Sequence, residues 1–163
     1  MSAVAPTYLQ WPGQCFGCSP RNPHGLHLLF ERTERGARAT HSLAAHFCGV
    51  EGIAHGGIVS TLLDEVAAWA VILITGKLGL TTTMTTRFLA PVKTGVPLLL
   101  EAEVLSDDGR RAVTRAVVRD GNGAELASAD ADWALASAAV VARMSGLPRA
   151  DLEAFFAASR PAP

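Results

Sequence analysis

Two features of one stretch could act together on a carbonyl group: the tripeptide His55-Gly56-Gly57 and the carboxylate of Asp64. Glycines at a helix start let a ligand approach the unpaired backbone N–H groups there, at the positive end of the helix dipole. Such N–H groups stabilise the oxyanion that forms during acyl transfer. A carboxylate among apolar residues can serve as nucleophile or general base. The pattern therefore indicates chemistry at a carbonyl carbon.

Each of these acidic and glycine positions also has a structural interpretation. The glycines could only allow close packing against a strand, and Asp64 could be satisfied by a backbone N–H or a neighbouring arginine. Glu65 lies about 100° further round the helix. We interpret it as structural, paired with Arg87 or Lys93. We interpret Trp69 as a core residue rather than as the cap of an acyl slot.

The residues that carry this chemistry lie in an apolar stretch at positions 52–75. Apolar side chains recur on nearly every side, which is typical of a buried helix. A helix over residues 55–74 would run roughly 30 Å, the width of a small domain. Because polar side chains interrupt it, we interpret it as a central helix rather than a membrane span. The interruptions are Ser60, Thr61, Asp64 and Glu65.

Strand patterns surround this helix on both sides. Residues 25–31 and 37–46 predict a first antiparallel pair, and residues 47–54 predict a glycine-bearing loop into the helix. Four further strands, joined partly by Asp-Gly turns, are predicted at residues 80–89, 96–105, 111–119 and 124–135. A short helix is predicted at residues 148–159.

The predicted fold is α+β, a curved six-stranded antiparallel sheet wrapped around one long central helix. We divide the chain into an irregular arm (1–24), the sheet-and-helix domain (25–136) and a tail with a short helix (137–163). One sheet covers only one side of a helix that is apolar all round. We therefore expect a homodimer, and the pattern leaves open whether dimers pair into tetramers.

The spacing of Gly56 and Asp64 sharpens this expectation. They are eight residues apart, which is about 12 Å along a helix. Reacting groups must approach within roughly 3–3.5 Å. One chain therefore cannot bring both to one carbonyl carbon. Two antiparallel central helices lying side by side would place Gly56 of one subunit against Asp64 of the other.

Composition limits the partners. A net charge of −1 argues against a protein that binds mainly nucleic acid or an anionic membrane. The first residues lack a signal-peptide pattern and the three cysteines do not suggest a disulfide scaffold, so we expect a cytoplasmic location. Cys15 and Cys18, with His24 and His27, suggest a zinc site, but the spacing is not that of a zinc finger. We prefer two small thiols that anchor the arm, and no metal.

Three segments together resemble a known family. They are CFGCSPRNPHGLHLLF, GIAHGGIVSTLLDE and MTTRFLAPVKTG, and they span roughly residues 15–135. They resemble the hotdog-fold acyl-CoA thioesterases of the PaaI-like branch, in which an acid follows the histidine by nine positions, as Asp64 follows His55 here. The resemblance implies hydrolysis of an acyl-CoA thioester, with CoA as part of the substrate and no separate cofactor.

The resemblance also implies roles for residues. Asp64 would act as nucleophile or as base for water, and the Gly56 N–H would polarise the thioester carbonyl. A hydroxyl on the strand after the helix would position water. The substrate-binding positions implied in this way are His55, Gly57, Thr81 and, as the same-face alternative, Thr83.

One position departs from the family pattern and bears on the alternatives. Relatives often carry an amide or carboxylate six or seven residues before the histidine, where this chain has Gly49 and Cys48; Glu51 could substitute. A hydratase of the same fold would pair an Asp with the histidine, but Val50 stands at that position. A non-catalytic acyl-CoA binder or a structural dimer module would leave Asp64 unexplained.

Overall fold

The structure, a computed structural model, describes residues 8–160. Residues 1–7 of the predicted arm and 161–163 of the predicted tail lie outside this range. The helices are α1 (Gly56–Thr75), α2 (Ala138–Ser145) and α3 (Arg149–Ser159). The strands are β1 (Glu31–Arg32), β2 (Gly36–Ser42), β3 (Cys48–Val50), β4 (Ile53–Ala54), β5 (Leu78–Phe88), β6 (Pro97–Asp107), β7 (Arg111–Arg119) and β8 (Glu125–Ala136).

Six of these strands form one antiparallel sheet in the order β1-β2-β6-β7-β8-β5. The sheet packs against α1, which contacts β2, β5, β6, β7 and β8. This arrangement confirms the predicted six-stranded sheet around a central helix. β5 is an edge strand of the sheet formed by residues 8–160, so no neighbouring strand in that range pairs with one side of its backbone.

The central helix α1 begins and ends where the local sequence directs it. His55 caps its start, and Gly76 ends it in the left-handed conformation with φ 65°, which glycine adopts without steric cost. The length of α1 and its mean hydropathy of 1.8 are sufficient for a membrane-spanning helix. The sequence interpretation, that polar residues make this stretch unsuitable as a membrane span, therefore differs from this result. Of that apolar window, 56% is buried within the domain. The remaining face includes Gly57, Thr61, Asp64 and Ala68, none of which is fully buried.

The boundaries of several predicted elements were wrong. Residues 25–30 do not pair with β2; instead the N–H groups of Leu26 and Leu28 donate to the Phe16 and Gly17 carbonyls of the arm. The predicted strand 37–46 ends at Ser42, because residues 45–47 form a 3₁₀ turn. The predicted loop 47–54 contains the short hairpin β3–β4, and α2 was missed.

Aromatic side chains attach the arm and the last helix to α1. Phe155 of α3 meets Trp69 of α1 edge-on, with ring centroids 5.8 Å apart. Trp11 of the arm meets Phe155 in the same way at 5.2 Å. Phe30 stacks on Trp69 at 5.1 Å. These pairs hold α3 and the arm over one flank of the central helix.

Candidate active site

The start of α1 leaves one backbone N–H available. The Gly57 N–H donates to His55 Nδ1 at 2.9 Å, and the His55 N–H donates to the Phe47 carbonyl at 2.9 Å. Among the described residues, none accepts a hydrogen bond from the Gly56 N–H. The cap therefore uses one of the two glycine N–H groups and leaves the other for a ligand.

The surroundings of Gly56 indicate that glycine keeps its N–H accessible to a ligand, and that close packing does not require glycine here. A side chain there would meet the Phe88 ring at 3.7 Å, an ordinary contact distance. Phe88 itself is 58% exposed. Gly56 is exposed as well. A larger residue would thus fit, but it would stand between the N–H and an approaching ligand.

Asp64 lies half-buried in the middle of α1 and has one side-chain hydrogen-bond partner among the described residues. Thr81 Oγ1 on β5 donates a hydrogen bond to Asp64 Oδ1 at 2.7 Å. A bulge between Thr81 and Thr83 shifts the β5–β8 register at this point. Bulges of this kind re-aim side chains beside functional sites. The structure therefore brings Thr81 to the carboxylate.

The same bulge separates Thr83 from Asp64. Thr82 Oγ1 donates to the Asp132 carbonyl at 3.0 Å. Thr83 lines a different cavity, which Arg111 also borders. The expectation that Thr81 and Thr83 share one face fails because the extra residue breaks the two-residue alternation. No pattern within the run of threonines marks where the bulge falls.

A cavity of about 260 Å³ opens beside Asp64 and Thr81. Its walls are mainly apolar and come from the arm, α1, β5 and β8. The apolar lining comprises Trp11, Ala68, Trp69, Ile72, Leu78, Leu80 and Trp133. Trp69 is 3% exposed and is therefore a core residue that also lines the cavity. Sequence reasoning missed Trp11, since an aperiodic arm gives no indication of which surface it covers.

Glu65, next to Asp64 in the chain, faces the arm instead. Cys15 Sγ donates to Glu65 Oε1 at 3.2 Å. Burial, and then the nearby Cys15 thiol, raises the pKa of Glu65 to about 8. The predicted pairing with Arg87 is wrong, because Arg87 binds Asp130 at 2.6 Å. Among the described ion pairs, none includes Glu65 or Lys93.

One described chain therefore holds only part of the predicted constellation. Asp64 and Thr81 meet, whereas Gly56 lies eight residues from Asp64 on the same helix, about 12 Å away. Glu51 is exposed at the β3–β4 turn. A side chain at Gly49 would lie 3.2 Å from His55 Cα, so this position packs against the cap and leaves little room for a polar group.

The chain is similar in sequence to known proteins. The family model described as the Thioesterase superfamily matches residues 51–127, which include α1 and β5. A Saccharolobus solfataricus protein described as a candidate esterase is 33% identical over 106 residues, 64% of this chain and 70% of that protein.

Two solved structures share the fold. A thioesterase superfamily protein is 28% identical with TM-score 0.66, covering 82% of this chain and 68% of that one. A Streptococcus mutans protein bound to acetyl CoA is 23% identical with TM-score 0.62, covering 68% of this chain and 89% of that one. These similarities confirm the hotdog fold that the sequence motifs implied.

Proposed function

We propose that this chain, which belongs to the thioesterase superfamily, hydrolyses an acyl-CoA or aryl-CoA thioester to a free acid and CoA. The observation that carries the proposal is the hydrogen bond from Thr81 Oγ1 to Asp64 Oδ1, at 2.7 Å, beside an apolar cavity. A carboxylate that is held by a hydroxyl and borders an apolar cavity is suited to act on a bound carbonyl group.

In this mechanism the Asp64 carboxylate acts as the nucleophile or as the general base. It either attacks the thioester carbonyl carbon or removes a proton from a water that attacks it. In the base route the water oxygen bonds to the carbonyl carbon, the C–S bond breaks, and the proton held by Asp64 passes to the leaving CoA sulfur. In the nucleophilic route an Asp64 oxygen bonds to the carbonyl carbon and the CoA thiolate leaves; a water then hydrolyses the acyl-Asp64 anhydride, which releases the free acid, restores the carboxylate and provides the proton for the thiolate. Thr81 orients the carboxylate and has lone pairs left to accept a hydrogen bond from that water. These steps require no separate cofactor.

The Gly56 N–H supplies the oxyanion donor, and we assign it to the partner chain of a homodimer. Three observations support this assignment. Gly56 and Asp64 of one chain are about 12 Å apart, Gly56 is exposed and Asp64 only half-buried, and β5 is an edge strand of the sheet that the described residues form. Large apolar side chains around the helix start are exposed too: Val50 67%, Phe88 58% and Leu89 58%. A second copy would cover these groups and complete two equivalent sites.

The cavity beside Asp64 accepts the acyl group in this proposal. Its volume of about 260 Å³ exceeds the roughly 150 Å³ that holds benzene in an engineered protein cavity. Its walls of tryptophan and leucine suit an aryl ring or a short to medium alkyl chain. The acetyl-CoA complex of the Streptococcus mutans protein supports CoA as the other half of the ligand.

The test is a thiol-release assay with CoA esters of alkyl acids of increasing length and of an aromatic acid. Hydrolysis predicts free CoA and free acid in equal amounts. An enoyl-CoA in the panel tests the hydratase alternative, since hydration yields a hydroxyacyl-CoA without releasing a thiol. Saturable binding of the esters without thiol release or hydration would contradict the proposal and indicate a non-catalytic binder.

A further inference from the structure

Three acidic side chains meet where the arm crosses α1. The ligand atoms of Cys15, Cys18 and Glu65 all lie within 4.8 Å of one another. The two cysteines come from the arm, and Glu65 comes from the central helix. We propose that Cys15, Cys18 and Glu65 form a binding site for one zinc ion. This site borders the cavity proposed for the acyl group, but the argument for it does not rest on the proposed hydrolysis.

The separation of Cys15 Sγ and Glu65 Oε1 is close to that of two ligands of a tetrahedral zinc ion. With Zn–S bonds of about 2.3 Å and Zn–O bonds of about 2.0 Å, tetrahedral ligands lie roughly 3.8 Å apart for two sulfurs and roughly 3.5 Å for sulfur and oxygen. Cys15 Sγ and Glu65 Oε1 are 3.2 Å apart. A zinc ion would thus move these two atoms apart by only a few tenths of an ångström.

The arm is shaped to close over the carboxylate. A side chain at Gly17 would overlap the Glu65 carboxylate, so a larger residue there would require the Glu65 side chain to move away from the loop between the two cysteines. The Gly17 N–H donates to Cys15 Sγ at 3.3 Å. An N–H group that donates to sulfur favours the thiolate, and the thiolate is the form that binds a metal.

Charge at the cluster favours a cation. Cys18 is 5% exposed, and Glu65 makes no ion pair with the described basic side chains. Two thiolates and one carboxylate select zinc over magnesium or calcium, which prefer all-oxygen ligands.

The ligand set differs from the one that the sequence suggested. His27 Nε2 hydrogen-bonds the Asn22 carbonyl at 2.6 Å, and His24 and His27 border a separate groove. The carboxylate of α1 takes the place considered for a histidine. The cluster also borders the cavity that Asp64 and Trp11 line, so a water on that side would complete the tetrahedron. Zinc would then fasten the arm, including Trp11, to α1.

The test uses the full chain, reduced and freed of metal with a chelator that is then removed. Zinc is titrated by calorimetry and cobalt(II) by visible absorption, since cobalt bound to thiolates in a tetrahedron shows charge-transfer and intense d–d bands. We expect one ion per chain and a higher Tm with zinc. Cys15→Ser and Glu65→Gln should each weaken binding by at least about tenfold. Cys48→Ser is the matched control, because Cys48 lies on β3 outside the cluster.

Circular dichroism of the metal-free variants checks folding, and Glu65→Gln carries the test if Cys15→Ser does not fold. If the reduced protein does not bind one zinc ion per chain, the proposed site is wrong. This holds even if the protein is isolated with a Cys15–Cys18 disulfide, because reduction frees both thiols before the titration. Binding that Glu65→Gln leaves unchanged, or that Cys48→Ser removes, would overturn it too. Because every readout is metal binding or Tm, failure of the proposed hydrolysis would not affect the result.

Discussion

Asp64 and Glu65 are adjacent on one helix, yet the two carboxylates have different surroundings. Asp64 receives a hydrogen bond from the Thr81 hydroxyl on β5 and lies on the helix face that no described element covers fully. Glu65, about 100° further round, meets the cysteines of the arm, and burial raises its pKa to about 8.

The difference shows that the facing element decides what an acid on an apolar helix can do. A strand hydroxyl holds Asp64 and leaves it accessible, which suits attack or proton removal at a substrate. The arm encloses Glu65 among thiols, which suits a proton or a metal ion. In the two proposals, the same residue class therefore has two different roles within one helical turn.

The largest expected effect separates the two carboxylates in catalysis. Asp64→Asn keeps an acceptor for Thr81 but loses the nucleophile or base, so kcat should fall at least about 100-fold. Glu65→Gln should lower kcat by no more than about tenfold, because Glu65 does not contact the reacting atoms in the proposed mechanism.

The measurement is steady-state thiol release, with circular dichroism as the check on folding. Glu103→Gln is the matched control, because this carboxylate is exposed and pairs only with Arg35 among the described residues. Its kcat should equal that of the wild type. Equal losses in Asp64→Asn and Glu65→Gln would remove the distinction between the two acids.

A smaller effect is expected at Thr81. Thr81→Val deletes a hydrogen bond to a carboxylate, and bonds to charged groups contribute about 1.5–3 kcal/mol, so kcat should fall at least about tenfold. Thr81→Ser should restore most of the rate. Thr83→Val should cost less than Thr81→Val, since Thr83 lines another cavity. The reverse order in a kcat comparison would assign the role to Thr83.

The smallest expected effect concerns stability and pH. The usual carboxyl pKa of 4.5 rises to about 8 for Glu65 in the folded chain. Between these values the folded state keeps a proton that the unfolded state loses. The contribution of Glu65 to the free energy of unfolding is therefore full below the lower value and falls as pH rises towards the upper one.

Glu65→Gln cannot ionise, so its free energy of unfolding does not fall with pH for this reason. The Tm of the variant minus the Tm of the wild type should therefore increase by several degrees from about pH 5 to about pH 8, since 1 kcal/mol corresponds to about 2–4 °C. The measurement is thermal unfolding with reductant and chelator present. A Tm difference that does not change with pH would show that Glu65 ionises normally in the folded protein.

Local patterns were enough to predict the central helix and the strands after it. The apolar run, Gly76 and the Asp-Gly turns all act through short-range chemistry. The meeting of Cys15 with Glu65 could not be predicted, because the arm has no period that shows which surface it covers. The bulge after Thr81 has no marker in a run of threonines. The family resemblance nevertheless pointed to Thr81 as a partner for the site.

The most direct test of a site shared between two chains mixes two inactive variants, Gly56→Pro and Asp64→Asn. Gly56→Pro removes the proposed oxyanion N–H, and proline is well tolerated at the first position of a helix; His55, with φ −62° and ψ 136°, already has a conformation allowed before proline. Each variant alone should lose about 100-fold or more in kcat. If Gly56 of one chain serves Asp64 of the other, every mixed dimer regains one intact site.

The two variants are unfolded together, refolded at equal concentration and assayed for thiol release, with each variant refolded alone as the control. Random pairing makes half of the dimers mixed, so the mixture should recover about a quarter of wild-type activity. A mixture no more active than the sum of its components, in a preparation shown to contain mixed dimers, would contradict the shared site.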